Sequence, residues 1–331
     1  MRHRMLGRTG LDVSEIGFGT WQLGGISWVS PGEKDCLFLL RHAFESGINL
    51  YDVSPSYGNG RSETLVGTAF EADRKDVLIS GKVGVLEDGT YHGFWSERQL
   101  RESLEQSLRR LKTDYFDILT LHAPPMDVLK AGYALELLHR LKETGMARFI
   151  GVSLEAQPEE ALIALKQGID ILQIRLNLLF PEARKVFTAA AAKEVGVVIN
   201  SPFGHGYLSG RYSTYQDIAD GDYPKGPFRA TKPPELVGAM IRNANAFKEL
   251  VTNGVSSLAS AALKFTLAFK EVSSVVPGHR SMAELQDNLA TSKSGPLSAG
   301  EVVHAETIYE EIFPNAQRPR RQTTVDARAS R

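Results

Sequence analysis

Residues 96–122 read SERQLRESLEQSLRRLKTDYFDILTLH, and the change of pattern inside this stretch decides the fold. Its first part sets Leu100, Leu104, Leu108 and Leu111 at three- and four-residue steps, the period of a helix with one apolar face, and Ser96 stands where such a helix takes its cap. After Lys112 the period disappears and a short apolar run, YFDILTLH, follows at strand length. One helix feeding one strand is half of a βα repeat.

Working outward, seven more apolar runs rich in β-branched residues lie on either side: SEIGFG (14–19), INLYDV (48–53), VLISGKV (77–83), FIGVS (149–153), ILQIRL (171–176), GVVINS (196–201) and VSSVVP (272–277). Amphipathic segments such as ALELLHRLKETG (134–145) separate them. Alternating β and α elements imply a parallel sheet, and eight such units closing on themselves imply an α/β fold of the TIM (β/α)8 barrel type, one domain over residues 1–313. Residues 2–13, RHRMLGRTGLDV, with Arg8, Thr9 and Gly10 at a tight turn, predict an N-terminal β-hairpin covering one end of the barrel. From about Tyr212 to Pro234 the glycines and prolines leave too little apolar periodicity for a regular element of the repeat, which predicts an extra loop or helix after the seventh strand. Residues 314–331 carry five arginines and no aromatic residue, and read as a polar, flexible tail.

Lysine and arginine total 38 against 39 acidic residues, so no strongly basic face is expected, and with it no nucleic-acid or anionic-membrane partner. Cys36 is the single cysteine, which excludes an internal disulfide and a thiolate metal site and fits the reducing cytoplasm. No apolar run reaches signal-peptide length at the N-terminus or the roughly 20 residues of a membrane span.

In such a barrel the site gathers at the carboxyl ends of the strands. Asp52 ends the second run, the turn VSPSYGNG after it presents Tyr57, Lys82 ends the third run and His122 the fourth. Each has a bland reading alone, as turn cap, loop aromatic, rim charge or core histidine. Together they make an acid with its support, because a phenol of ordinary pKa about 10 gives up a proton near neutrality only if its phenolate is stabilised, and a neighbouring ammonium does that. Asp52 would keep Lys82 charged and aimed, and His122 would hydrogen-bond a substrate oxygen as charge develops on it.

The blocks GFGTWQLG (17–24), INLYDVSPSYGNGRSETLVG (48–67), ISGKVG (79–84), LRRLKTDYFDILTLH (108–122) and LKETGMARFIGVS (141–153) resemble, in order, those of the aldo-keto reductase family. The resemblance implies a catalytic tetrad of Tyr57, Asp52, Lys82 and His122, and hydride transfer between a nicotinamide dinucleotide and an aldehyde or ketone, or the corresponding alcohol, possible sugars included. NADP(H) is the implied cofactor and NAD(H) the alternative; no GxGxxG occurs to make a Rossmann site instead. By the same resemblance the dinucleotide lies along Gly19, Thr20, Trp21 and Asp52, with Ser153 and Gln173 on its carboxamide and Phe203 beside the ring. Ser201, Gly204 and Gly206 offer close backbone approach to its phosphates and Arg211 offers charge. Gly278 turns the chain out of the eighth strand toward a helix that Ser281 caps, with Arg280 at its amino end as the 2′-phosphate partner. Asp287 and Asn288 follow as the implied adenine contacts. Leu154 and Asn200 depart from the family pattern: an asparagine is common at the first position, and a ring stacking on the nicotinamide at the second, leaving Phe203 or Asn200 itself to cover it. Trp21, Tyr57, Trp95 and His122, with Trp28, Phe94 and Asn177, are expected to wall the substrate site.

Two other functions compete. A Schiff-base aldolase would use Lys82 as a neutral amine, against which Asp52 argues. A nucleotide-binding, redox-sensing interaction module would keep the dinucleotide and turn over little.

Overall fold

The leucine stripe folds into the helix Glu97–Leu111, which buries Leu100, Leu104, Leu108 and Leu111 and is capped by the Ser96 side chain accepting from the Gln99 N–H. The structure, a computed structural model, describes residues 1–25, 30–85, 95–155, 157–220, 233–252 and 254–314. Trp28, Phe94 and the arginine-rich segment 315–331 lie outside them.

All eight expected runs are strands. After the hairpin strands β1 (His3–Met5) and β2 (Asp12–Ser14) come β3 (Phe18–Gly19), β4 (Leu50–Asp52), β5 (Leu78–Val83), β6 (Phe116–His122), β7 (Ala147–Leu154), β8 (Ile171–Arg175), β9 (Gly196–Asn200) and β10 (Val272–Val275). β3 to β10 pair in chain order, every neighbour parallel. Parallel bridges Ile16–Val275 and Gly19–Gly278 join the last strand to the first and close the barrel. A side chain on Gly19 would lie 2.7 Å from the Val276 carbonyl oxygen, so this seam admits only glycine.

The hairpin sits at the barrel's amino end, where Leu6, Leu11 and Val13 cluster with Leu50, Ile118, Ile171 and Val198. It is tied there by charge: buried Glu15 pairs with Arg2 and Arg4, and Arg4 also donates to the Val272 carbonyl at 2.8 Å. The opposite, carboxyl end is left open for chemistry.

The extra loop or helix expected after the seventh strand takes the second form at its start: the stretch from Tyr212 to Pro234 holds the short helix Tyr215–Asp220, and residues 221–232 of it are outside the described set. That helix packs Tyr215 and Ile218 on the core, and the Asp217 carboxylate accepts from the Ser213 and Thr214 N–H groups at 2.7 and 2.8 Å, satisfying donors at its start. The helix Pro234–Ala246 follows before the chain reaches the helix Leu258–Leu267 and β10.

Candidate active site

Parallel register brings the strand-end residues level. Gly19 pairs with Asp52, Asp52 with Ser80 two residues before Lys82, His122 with Ser153, and Ser153 with Gln173. Asp52 and Lys82 are 3% and 1% exposed, and the Lys82 ammonium donates to both Asp52 oxygens at 2.6 Å and to the Val53 carbonyl at 3.2 Å. Burial pushes the Lys82 pKa down from the ordinary lysine value, and the charge and hydrogen bonds of Asp52 push it back up. The carboxylate is braced in turn: Gln173 Nε2 donates to Asp52 Oδ1 at 2.8 Å, and Ser153 Oγ donates to Gln173 Oε1 at 2.5 Å.

Tyr57 stands on the turn after β4. A side chain at Gly58, where φ is +72°, would run into the Gly24 carbonyl at 2.1 Å, so glycine is what lets the turn lie against the segment after β3. The Tyr57 ring meets the His122 ring edge-on with centroids 6.2 Å apart, and the Lys82 Nζ lies 5.1 Å from the phenol ring centroid. Burial, and secondly the Lys82 charge, lower the His122 pKa to about 3, so its imidazole is neutral across the physiological range. Ser54 Oγ is 3.3 Å from His122 Nδ1 and 2.9 Å from Ser56 Oγ, a link that orients the ring.

The four residues are thus together, three of them facing one cleft of about 710 Å3 and Lys82 beneath its floor. The cleft runs from Trp21, Tyr57 and His122 past Ser153 and Asn200 to Arg211, Gly278, Arg280, Asp287 and Asn288, with Gly19, Ser201, Phe203 and Gly206 along it. In the loop after β9, Ser201, Gly204, His205 and Gly206 all hold left-handed backbone, which glycine adopts freely and which costs energy at Ser201 and His205. Trp21 and His205 meet edge-to-face at 5.7 Å across the cleft.

Other expected residues support the cleft from behind. Thr20 is fully buried and donates to the Asp52 carbonyl at 2.8 Å; Gln173 has both ends of its amide engaged with protein. Gly204 faces Leu179 and Asn177, and Asn177 is itself buried, donating to the Ser201 carbonyl at 2.9 Å. Trp95 is 6% exposed, its ring packed onto Gly84 in the core and outside the cleft lining.

The residues that sequence reasoning passed over are Ser54, Gln22, His205 and Glu284. Glu284 had a readable signal, since it lies one helical turn after Arg280. It lines the far end of the cleft, where its Oε1 lies 2.7 Å from Arg211 and 3.1 Å from Arg280, and its Oε2 accepts from the Arg280 N–H at 2.7 Å.

The sequence model of the Aldo/keto reductase family matches residues 15–310. The chain is 27% identical over 321 residues to the uncharacterized oxidoreductase YqkF of Bacillus subtilis, covering 96% of this chain and all of that one. It is 30% identical over 302 residues to the L-galactose dehydrogenase of Arabidopsis thaliana, covering 87% and 86% of the two chains. Among solved structures, the holo form of the aldo-keto reductase AKR11C1 from Bacillus halodurans superposes with a TM-score of 0.76 at 27% identity, covering 93% of this chain and 96% of that one.

Proposed function

The chain belongs to the aldo/keto reductase family, and from that membership and the cleft we propose that it moves a hydride between NADP(H), or alternatively NAD(H), and a small carbonyl compound or the corresponding alcohol. The observation that carries this is continuity: one cavity connects Tyr57 and His122 to Arg211, Arg280 and Asn288. A dinucleotide is elongated and anionic, and the cleft is itself long, with the loop from Ser201 to Gly206 along its middle and two guanidinium groups at one end. Gly19, Trp21, Ser201, Phe203, Gly206 and Gly278 would line it, with Asp287 and Asn288 at the adenine end. Ser153 and Gln173 would serve its carboxamide end, Gln173 by holding Ser153 and Asp52 in place.

When bound, the reduced nicotinamide supplies the hydride. Tyr57 supplies the proton: its phenolic hydrogen passes to the carbonyl oxygen, and in the oxidative direction the phenolate takes it back from the alcohol. Lys82 places a positive charge beneath the phenol and so stabilises the phenolate; Asp52 keeps that ammonium aimed. Neutral His122, with Ser54 on its Nδ1, would donate from its other ring nitrogen to the oxygen on which charge develops. The Lys82 ammonium, closed in by both Asp52 oxygens under the cleft floor, is not offered to a carbonyl carbon, which leaves the Schiff-base alternative without support.

The test is loss of absorbance at the reduced-nicotinamide band with NADPH and with NADH, across aldehydes, ketones and sugars. The likeness to an L-galactose dehydrogenase puts sugars first in that panel. Oxidation that depends on Tyr57 is expected. Tight NADPH binding without oxidation by any of them would overturn the enzymatic reading in favour of a nucleotide-binding module.

A further inference from the structure

At the far end of the cleft two arginines from different loops meet one carboxylate. Arg211 follows the loop after β9, Arg280 follows β10, and Glu284 sits in the first turn of the helix Met282–Ser294, its own N–H held by Ser281 Oγ at 3.2 Å. Both Glu284 oxygens are used, one on the two guanidinium groups and one on the Arg280 backbone. The single oxygen shared by the two guanidinium groups presents to them the negative charge that a phosphate oxygen would present. It is also free to leave, because its side chain is 22% exposed and the pairs lie at the rim, where solvent competes.

We propose that Glu284 is a specificity-determining residue for the dinucleotide, supplying at Arg211 and Arg280 the negative charge that a 2′-phosphate would otherwise bring. The proposal rests on the reading of this cleft as a dinucleotide site. NADP(H) must displace Glu284 from its arginines and then sit beside it and beside Asp287, like charge against like; NAD(H) leaves the ion pairs intact. The arginine pair by itself therefore overstates the preference for NADP(H), and Glu284 narrows it.

The experiment is calorimetric binding of NADPH and NADH, and of the fragments 2′,5′-ADP and 5′-AMP, to the full chain and to Glu284→Gln, Glu284→Ala and Arg280→Met. In both Glu284 variants the ratio of Kd for NADH to Kd for NADPH should rise by about tenfold or more, a change of about 1.4 kcal/mol, with the fragments following in the same direction. In Arg280→Met the ratio should fall. If the Glu284 variants leave the ratio unchanged or lower it while Arg280→Met still lowers it, Glu284 has no such role and the dinucleotide site stands. If Arg280→Met also leaves it unchanged, the site itself has been misassigned.

Discussion

The two ends of the cleft are built on opposite principles. At the Tyr57 end the supporting charges come from β4 and β5 and are almost wholly buried, with Lys82 on Asp52 and Asp52 on Gln173. At the Arg280 end the charges come from loops and the first turn of a helix, and are 13% to 46% exposed. A buried pair is costly to break because each charge left behind is uncompensated, whereas a rim pair is worth about 1 kcal/mol or less and changes partner easily. Under the proposed function, proton chemistry would be set in the buried half and choice of dinucleotide in the exposed one.

The sharpest way to test that division is Tyr57→Phe, which removes one oxygen and none of the packing. Turnover should fall by about a thousandfold, within the range general acids contribute, while calorimetric Kd for NADPH changes by less than about threefold. Comparable losses in both quantities would mean that the phenol belongs to binding as much as to chemistry. Next in size is Lys82→Met, which strands the Asp52 carboxylate. Urea unfolding should show a loss of about 3–5 kcal/mol, against about 1 kcal/mol or less for Arg280→Met at the rim. Equal losses would erase the contrast between the halves.

A smaller effect lies behind Arg280. His279 is fully buried, its ring 4.5 Å from that of Phe18, and burial lowers its pKa to about 3. The folded pKa lies below the unfolded value, so the unfolded chain binds the extra proton. The stability contributed by the neutral ring is complete above the unfolded pKa and is lost as pH falls toward the folded one. Between about pH 6.5 and pH 5 this amounts to about 2 kcal/mol for this histidine, and His122 acts with the same sign. In His279→Met the fall in unfolding free energy over that interval should be smaller by about this amount; an unchanged slope would show that His279 takes up its proton without unfolding.

The strands and the convergence of Tyr57, Asp52, Lys82 and His122 were legible because both signals are local. An apolar run of strand length announces itself, and the polar residue where it stops is placed by the barrel. Trp95 was misleading for a related reason: an aromatic after the third strand suits a pocket wall, but the bare backbone of Gly84 gives its ring a place in the core. The helix Tyr215–Asp220 could not be separated from a loop because its apolar side is only Tyr215 and Ile218, and its start is held by the Asp217 carboxylate. Glu284 escaped because its meaning depends on Arg211, which reaches the same spot from another loop, and only the parallel pairing of β9 with β10 brings the two together.

The smallest expected effect falls between the two halves, at Asn200. It ends β9 and lines the cleft midway, where the family resemblance leads one to expect a ring against the nicotinamide. Its amide is poorly served: Nδ2 reaches the Leu154 carbonyl only at 3.4 Å, and the buried Oδ1 has no hydrogen-bond partner among the described residues. Asn200→Phe removes that unsatisfied acceptor and adds a stacking face, so the fold should be held at least as well and NADPH should bind about threefold more tightly, the lower part of what an aromatic contact contributes. Calorimetry separates two sources of stacking. Tighter binding makes Asn200 the open face of the nicotinamide pocket, whereas unchanged binding in a stable variant assigns that face to Phe203, a ring on the loop that follows β9, and moves the boundary between the two halves of the cleft into that loop.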